Sequence, residues 1–391
     1  MEKKFGKVIN FLKSNIGIVI VTSVAVIMSV FCVVASNFAD VPINIETIED
    51  FINIEKTGMD KHYVITGYLT FEDWKPIGDE DNPFTGTLEA KNPITIKSFA
   101  NDSKGNVGLF AVNRGVILRI KVYSPSLKQD FNSVDSFGYF AGKNYGKITS
   151  CNVYMGSSEF NFDNSPKISV GMFCGINYGD VRKCVSTNQI TVRSNGDIVF
   201  GGMCGSSYGG MVELCSNKSP TIIYSSNVTC GGLAGVCNST TFSNNSVTNR
   251  INLFSENSLL VGGFIGSVEG AQKTNVANCY NASSITINNS FNNLVIGSVA
   301  RDIENSCIIT NSVENMSIQS SSKNYSCGTF FPDDIHSVNN CYYIFVPVAD
   351  DSFFQGEKAI YCELSLSKLG WDSAIWEVAC SGIECIISYE R

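Results

Sequence analysis

Short runs of alternating apolar and polar residues fill the middle of the chain, and Asn and Gly interrupt them at close intervals. Three of these runs follow the same kind of turn and cover residues 144–154, 177–185 and 207–215. Alternation with a period of two, bounded by turn residues, predicts short β-strands joined by tight corners. Asn, Ser, Thr and Gly stand where a helical repeat would carry Ala, Leu and Glu. The pattern therefore predicts an all-β fold.

Glycines recur through the same region at nearly constant spacing. The gaps between them are 33, 30, 30, 31, 31 and 31 residues. The seven glycines are Gly142, Gly175, Gly205, Gly235, Gly266, Gly297 and Gly328. A repeat of this length predicts a stacked array, because one unit cannot bury its own apolar face. We expect a single-stranded right-handed parallel β-helix with three short strands per coil, in which these glycines provide a positive φ or a close backbone approach.

The repeat carries a recognisable phrase. It reads Gly-Gly-Met-Cys-Gly at 201–205, Gly-Gly-Leu-Ala-Gly at 231–235 and Gly-Gly-Phe-Ile-Gly at 262–266. With the Asn/Ser-x-Gly and Ile-x-x-Cys/Ser that follow, it resembles the GLUG repeat of bacterial exported proteins. Residues 42–100 are similar to the segment that precedes such repeats, and residues 369–376 to their closing element. The resemblance implies a β-helical surface or secreted protein, sometimes attached to peptidase or adhesin modules, and it implies no catalytic residues.

Five segments follow from these patterns. They are a basic cytoplasmic segment at 1–15, a transmembrane helix at 16–35, an N-terminal cap with the first coils at 41–107, the repeat β-helix at 108–345 and a C-terminal cap segment at 346–391.

The N-terminus predicts export. Four lysines precede the twenty uncharged residues Ile16 to Ala35, which are enough to span a bilayer. The positive-inside rule then leaves the lysines in the cytoplasm and the rest of the chain outside, as a single-pass anchored protein. A signal peptide cleaved near Ala35 or Ala39 is the alternative, because small residues lie before both positions.

Both ends of a β-helix expose unpaired strand edges and need covers. Thr47 and Asp50 have the spacing of a capping box, which predicts a short helix that ends near Gly58 and covers the first coil. Leu364 to Ile375, with Trp371 and Trp376, can cover the last coil in the same way.

Fifteen cysteines are present, and many repeat at the coil period. Cys174 and Cys204 are 30 residues apart, so their Cα atoms would be separated by one coil, about 4.8 Å, which a disulfide tolerates. The alternative is that cysteine is a small apolar filler of inward stacks. Cys380 and Cys385, close together near the end of the chain, are stronger disulfide candidates. No metal site is expected, since there is no Cys-x-x-Cys and the only histidines are His62 and His336.

Tyr145, Tyr178 and Tyr208 occupy the same turn position in consecutive coils and should stack as an outward ladder. Such a ladder could bind a glycan, a matrix component or a neighbouring cell surface; the alternative is that these are turn residues packing on their neighbours. The net charge of -8 and the 16% of charged residues make nucleic acid a poor partner.

An enzyme is not expected, and neither is a cofactor. Polysaccharide cleavage needs carboxylates that converge on one groove. The acids between residues 138 and 330 share no position in the repeat, and no phosphate-binding loop is present. We therefore expect a membrane-anchored structural or adhesive surface protein without catalytic activity. A polysaccharide-active β-helical enzyme and an accessory module of a secreted peptidase remain as alternatives.

Overall fold

Parallel β-strands are the main secondary structure among the described residues of the chain's second compact unit, Ile43–Arg391. The structure, a computed structural model, describes residues 41–154, 156–288, 293–304, 306–320, 326–328, 330–332, 337–344, 352–353, 357–358, 364, 366–379 and 382–385. Among these residues no helix is long and apolar enough to span a membrane. The predicted span at 16–35 lies outside them.

Three parallel sheets run the length of this unit, and successive coils contribute neighbouring strands to each sheet. The first sheet consists of Ile43–Ile45, His62–Ile65, Thr87–Ala90, Val116–Leu118, Lys147–Thr149, Asp180–Arg182, Met211–Glu213, Thr241–Ser243, Thr274–Ala277, Cys307–Thr310 and Ser337–Asn339. The second sheet consists of Thr70–Phe71, Ile94–Ile96, Lys121–Tyr123, Asn152–Tyr154, Val185–Ser186, Ser216–Asn217, Ser246–Val247, Tyr280–Asn281, Val313–Glu314, Tyr342–Tyr343 and Glu357–Lys358.

The third sheet is the widest, because each complete coil crosses it in consecutive sections that bend or merge. Its strands are Gly105–Val107, Phe110–Asn113, Leu127–Asp130, Val134–Phe137, Ala141–Asn144, Ser157–Asn161, Lys167–Gly171, Cys174–Asn177, Gln189–Arg193, Asp197–Gly201, Cys204–Tyr208, Thr221–Gly231, Ala234–Asn238, Arg250–Val268, Ser284–Ile287, Asn293–Val299, Ser317–Ser320, Ser326–Gly328 and Ser352–Phe353. The predicted parallel β-solenoid is therefore confirmed.

The core fills the inside of the coils. Strand pairing without slippage places equivalent residues directly above one another, so that apolar positions form continuous inward stacks. One such stack in the first sheet is fully buried and consists of Ile117, Ile148, Val181, Val212, Phe242, Val276 and Ile309. Each coil buries its apolar face against the coils before and after it, which is the condition that the repeat period predicted.

The corner between the first and second sheets turns on residues other than glycine. Eight residues there have φ between 47° and 56°, and they are Arg119, Ser150, Lys183, Leu214, Asn244, Asn278, Asn311 and Asn340. None of the seven repeat glycines is among the glycines with positive φ. A Cβ on Gly175 would stand 2.5 Å from Phe137 N, and one on Gly205 would stand 2.5 Å from Val170 N. Of the two roles predicted for these glycines, positive φ is wrong and close backbone approach is right.

The N-terminal cover matches its prediction. Helix α1 (Ile48–Ile52) begins at Thr47, whose side chain and that of Asp50 form the capping box. Helix α2 (Ile54–Thr57) follows and ends at Gly58. The ring of Phe51 is fully buried, with its centroid 5.0 Å from that of Phe71. The helix therefore seals the interior of the first coils with an aromatic side chain.

The C-terminal aromatics occupy a different place from the one predicted. A short helix α3 (Leu366–Leu369) is followed by an antiparallel pair, Trp376–Ala379 with Gly382–Cys385. Trp371 and Trp376 pack with Tyr280, Val313 and Tyr342, which lie above one another in the second sheet. The two tryptophans thus cover the side of successive coils, instead of the end of the last one, because the row of Tyr280, Val313 and Tyr342 offers an apolar surface there.

A carboxyl group is buried inside the later coils. Glu314 follows Asn281 by one coil in the second sheet, and its side chain points inward. Asn281 Nδ2 donates to Glu314 Oε1 at 2.6 Å, the amide of Met316 donates to the same oxygen at 2.9 Å, and Ser298 Oγ contacts Oε2. Burial raises the pKa of Glu314 to about 8. With two N–H donors at Oε1, the proton belongs on Oε2, where it can donate to Ser298.

Candidate binding site along a tyrosine ladder

A tight turn between the third and first sheets positions the tyrosines. The amides of Tyr178 and Gly179 both donate to Asn144 O, at 2.7 and 3.1 Å. The preceding coil repeats this arrangement with Tyr145 and Gly146 on the carbonyl of the asparagine one coil earlier. Since Asn144 pairs in register with Asn177, the residue after each asparagine takes the same position in its coil.

Buried amides hold these turns from inside. Asn113 Nδ2 donates to Asn144 Oδ1 at 2.7 Å, and Asn144 Nδ2 donates to Asn177 Oδ1 at 2.8 Å. The row ends at Ser207 Oγ, which accepts from Asn177 Nδ2 at 3.2 Å. All four residues are fully buried. We call Asn113, Asn144, Asn177 and Ser207 the amide ladder. It fixes the turn from the inside, so the next residue in each coil faces outward.

Glycine is required at the following position. A Cβ on Gly146 would stand 2.0 Å from Gly115 O, and one on Gly179 would stand 2.0 Å from Gly146 O. Contacts this short leave no space for any side chain. The stacked glycines therefore leave a strip of bare backbone beside the tyrosines.

The tyrosines form the outward stack that the sequence predicted. The ring centroids of Tyr145 and Tyr178 are 4.7 Å apart with planes 6° from parallel, and Tyr208 lies 5.7 Å beyond Tyr178. Their exposed fractions are 37%, 40% and 36%. The stack begins with a residue that the sequence analysis missed: the guanidinium carbon of Arg114 lies 4.7 Å from the centroid of Tyr145. Asn113-Arg114-Gly115 repeats the Asn-Tyr-Gly spacing, and that was the available signal.

A groove of about 330 Å³ runs beside this tyrosine ladder. Arg114 and Lys147 line one part of it and Asp180 another. Tyr145 and Tyr178 line the groove, and because their stacked rings cover each other's faces, the ring edges and hydroxyls are what a ligand can contact. In the same coil as Tyr145, Lys143 Nζ donates to Glu80 at 2.7 Å, and this hydrogen bond raises the pKa of Lys143. The groove therefore offers tyrosine hydroxyls beside the side chains of Arg114, Lys147 and Asp180.

Cys174 and Cys204 lie in register in adjacent coils, as predicted, but they are free thiols in this structure. Their Sγ atoms are 3.6 Å apart, too far for a bond. Burial raises the pKa of Cys204 well above its ordinary value, so the thiol stays protonated and reacts slowly. In the structure the repeating cysteines therefore act as small apolar side chains that fill the inward stacks. Cys380 and the side chain of Cys385 lie outside the described residues, so that pairing stays a prediction.

Cysteines in the first corner have a further role. The thiols of Cys151 and Cys184 donate to Ile117 O and Ile148 O, one coil back, both at 3.7 Å. In the coil that carries Asn245 instead, its amide donates to Val212 O at 2.9 Å. A small donor at this position therefore links these three corners to the previous coil.

The described residues contain no group of three or more His, Cys, Asp and Glu side chains that could hold a metal ion. His62 Nε2 lies 3.0 Å from Glu89 Oε1, and Arg119 binds the other oxygen of Glu89. This histidine is therefore part of a hydrogen-bonded cluster around Glu89. His336 lies outside the described residues.

Fold and groove together define a parallel β-solenoid with an accessible aromatic ladder on its side. No protein-family model and no curated protein matches the chain. A crystal structure from Bacteroides ovatus, of a protein provisionally assigned as an immunoglobulin A1 protease, aligns with a TM-score of 0.46 and 14% identity, over 89% of this chain and 93% of that one. An IgA1 protease aligns with a TM-score of 0.45 and 14% identity, over 80% of this chain and 23% of that one. At these values the similarity assigns no activity to this chain.

Proposed function

We propose that this chain is an exported, membrane-anchored β-solenoid of the GLUG-repeat type that binds a surface ligand through its tyrosine ladder and catalyses no reaction. The observation that carries the proposal is the row of Tyr145, Tyr178 and Tyr208, each more than a third exposed on a rigid scaffold. Large aromatic side chains with a polar tip are the residues that dominate binding surfaces.

The ligand suited to this groove is an extended polar polymer, such as a surface glycan. Phenol hydroxyls repeat at about 4.8 Å along the solenoid axis, and each can both donate and accept a hydrogen bond. Arg114 and Lys147 at one part of the groove add further hydrogen-bond donors. A polymer lying along the axis can therefore meet the same chemistry in each coil.

Binding to a glycan and matrix array tests the proposal on the full-length protein. We expect Tyr178→Ala to lower the apparent affinity at least about tenfold, which corresponds to about 1.4 kcal/mol. Tyr178→Phe keeps the stacked ring and separates the contribution of the hydroxyl. Tyr68→Ala is the matched control, because Tyr68 is 83% exposed and lies outside the ladder. Unchanged binding by Tyr178→Ala would show that the ladder is not the contact surface.

Anchoring is a separate part of the proposal and rests on the charge-free segment Ile16 to Ala35 after four lysines. Cell fractionation with N-terminal sequencing tests it. Met1 in the membrane fraction supports the anchor, whereas a start after Ala35 or Ala39 in the medium shows cleavage and a released protein. Release of reducing ends or unsaturated sugars from polysaccharide would favour the enzyme alternative.

A further inference from the structure

A second outward stack lies on the third sheet and belongs to no part of the proposed function. Arg193, Tyr224 and Phe254 pair in register in three consecutive coils. The guanidinium carbon of Arg193 lies 3.8 Å from the centroid of Tyr224, and the rings of Tyr224 and Phe254 are 4.5 Å apart with planes 11° from parallel. The order, an arginine followed by stacked rings, is that of Arg114 and the tyrosine ladder.

A groove of about 360 Å³ follows this stack. The stacked residues form one wall of the groove. The other wall is the turn that follows the stacked position in each coil, and it carries Asp163, Asn195, Ser226 and Glu256. The groove crosses four coils, so the turns that bear its two carboxylates are about 14 Å apart at about 4.8 Å per coil. Asp163 and Glu256 each follow the stacked position of their coil by two residues. The sequence analysis found no common position for these acids because it had not identified that stack.

Two cations near this groove share one carboxylate, Glu159, so the negative charge prevails only when Asp163 and Glu256 on the groove wall are added. Arg193 Nε donates to Glu159 Oε1 at 3.1 Å, and Lys128 Nζ lies 3.1 Å from Glu159 Oε2. Asp163 and Glu256 remain on the groove wall, so its local charge is negative. A polyanion, such as a uronic-acid polymer or a nucleic acid, would be repelled there.

Among the polar groups of the groove that ion pairs do not occupy, hydrogen-bond acceptors are the main ones a ligand can contact. Asn161 lines the groove in the coil before Arg193, but its Oδ1 atom is buried and has no hydrogen-bond partner among the described residues. The carboxylates of Asp163 and Glu256 accept only, and the Tyr224 hydroxyl can also donate. The edges of the Tyr224 and Phe254 rings add apolar contact. This is the combination that sugar hydroxyls and the C–H groups between them require.

We propose that this groove binds a neutral oligosaccharide laid along the solenoid axis, with Asp163 and Glu256 accepting hydrogen bonds from hydroxyls at its two ends. The repeat of one coil is close to the length of one sugar unit, so successive units meet equivalent positions. Binding without cleavage follows from the spacing of the carboxylates. Glycoside hydrolysis uses a pair about 5 to 9.5 Å apart, and turns separated by about 14 Å do not provide one.

Titration of the full-length protein with neutral glucan and mannan oligosaccharides of two to six units, followed by calorimetry, tests this inference. We expect binding that strengthens up to three or four units, and a loss of at least tenfold in Asp163→Asn and in Glu256→Gln. Glu304→Gln is the matched control, an exposed carboxylate outside the groove. The thermal midpoint of each variant shows that the fold is retained.

The outcomes separate this site from the tyrosine ladder. Tyr178→Ala should bind these oligosaccharides as the unchanged protein does, even if the ladder proposal fails. Tighter binding of uronic-acid oligomers, or of a lysine-rich peptide, would overturn the assignment of a neutral sugar. No binding of any neutral oligosaccharide, or full binding by both carboxylate variants, would overturn the site itself.

Discussion

Two buried polar rows, one in the middle coils and one in the later coils, differ in a single chemical respect. The amide ladder is neutral throughout, and each amide donates to the next coil at 2.7 to 3.2 Å. The later row places Asn281 against Glu314, a group that can ionise. Neutral amides keep the same hydrogen bonds at any pH, whereas a buried carboxyl must stay protonated or leave a charge in a low-dielectric interior. The comparison teaches that the two halves of the solenoid should respond differently to pH.

The largest expected effect is the pH dependence of stability and its removal by Glu314→Gln. The pKa of Glu314 is raised by burial from 4.5 to about 8. Below about pH 4.5 the carboxyl is protonated in both states, so no stability is lost. Between 4.5 and 8 only the unfolded state ionises, and stability falls. Above pH 8 the loss levels off at about 5 kcal/mol, on the order of 1.4 kcal/mol for each pKa unit.

Glutamine keeps the shape and the hydrogen bonds without a titrating proton. The thermal midpoint of Glu314→Gln measured from pH 4 to 9 should therefore lose this slope, and the variant should exceed the unchanged protein at high pH. Glu304→Gln, at an exposed position, serves as the control. The same slope in Glu314→Gln as in the unchanged protein would contradict the assignment.

The second expected effect is the loss of the amide ladder in Asn144→Ala. This variant removes the two ladder hydrogen bonds of Asn144, together with the longer ones from its Nδ2 to Gly146 O and Asp180 O, and leaves Asn113 Nδ2 and Asn177 Oδ1 buried without those partners. We expect a loss of about 3 kcal/mol, independent of pH, because each unsatisfied buried group costs about 1 to 3 kcal/mol. Urea unfolding at pH 5 and pH 8 measures the loss of stability and shows whether it depends on pH. Asn275→Ala, at an exposed strand position, should change stability little. A loss that varied with pH would remove the contrast between the two rows.

The smallest expected effect is the relief of backbone strain at Leu214, which does not involve either buried polar row. Leu214 has a φ of 56° in the corner that precedes the second sheet, where later coils use asparagine, as at Asn244 and Asn278. The left-handed conformation costs a side chain such as leucine about 1 to 2 kcal/mol, and asparagine tolerates it better. Leu214→Asn should therefore stabilise the protein by about 1 kcal/mol at all pH values. Leu214→Ala keeps the strain and is the control; equal midpoints for the two variants would argue against strain at this corner.

Periodicity predicted the fold well because the coil repeat constrains every residue that stacks. It also predicted the tyrosine ladder, since Tyr145, Tyr178 and Tyr208 are the same residue at the same position. The stack of Arg193, Tyr224 and Phe254 was missed because its members are chemically different, although they are spaced by 31 and 30 residues. Likewise the tryptophans were expected at the end of the array, because the sequence does not show that three residues of the second sheet form an apolar face on its side.

The contacts of the stacked glycines have a consequence for how such a chain can change in length. The atom that forbids a side chain at Gly179 is a carbonyl oxygen of Gly146, one repeat earlier, and the atom that forbids one at Gly146 belongs to Gly115. At this turn each repeat therefore packs closely against the backbone of the repeat before it. Deleting or duplicating a whole repeat preserves every such fit, whereas gaining or losing one residue inside this turn breaks it; elsewhere in the coil the spacing already varies between 30 and 33 residues. Related proteins with this solenoid should differ in length by whole repeats. Each repeat gained or lost should change the length of the grooves by one coil.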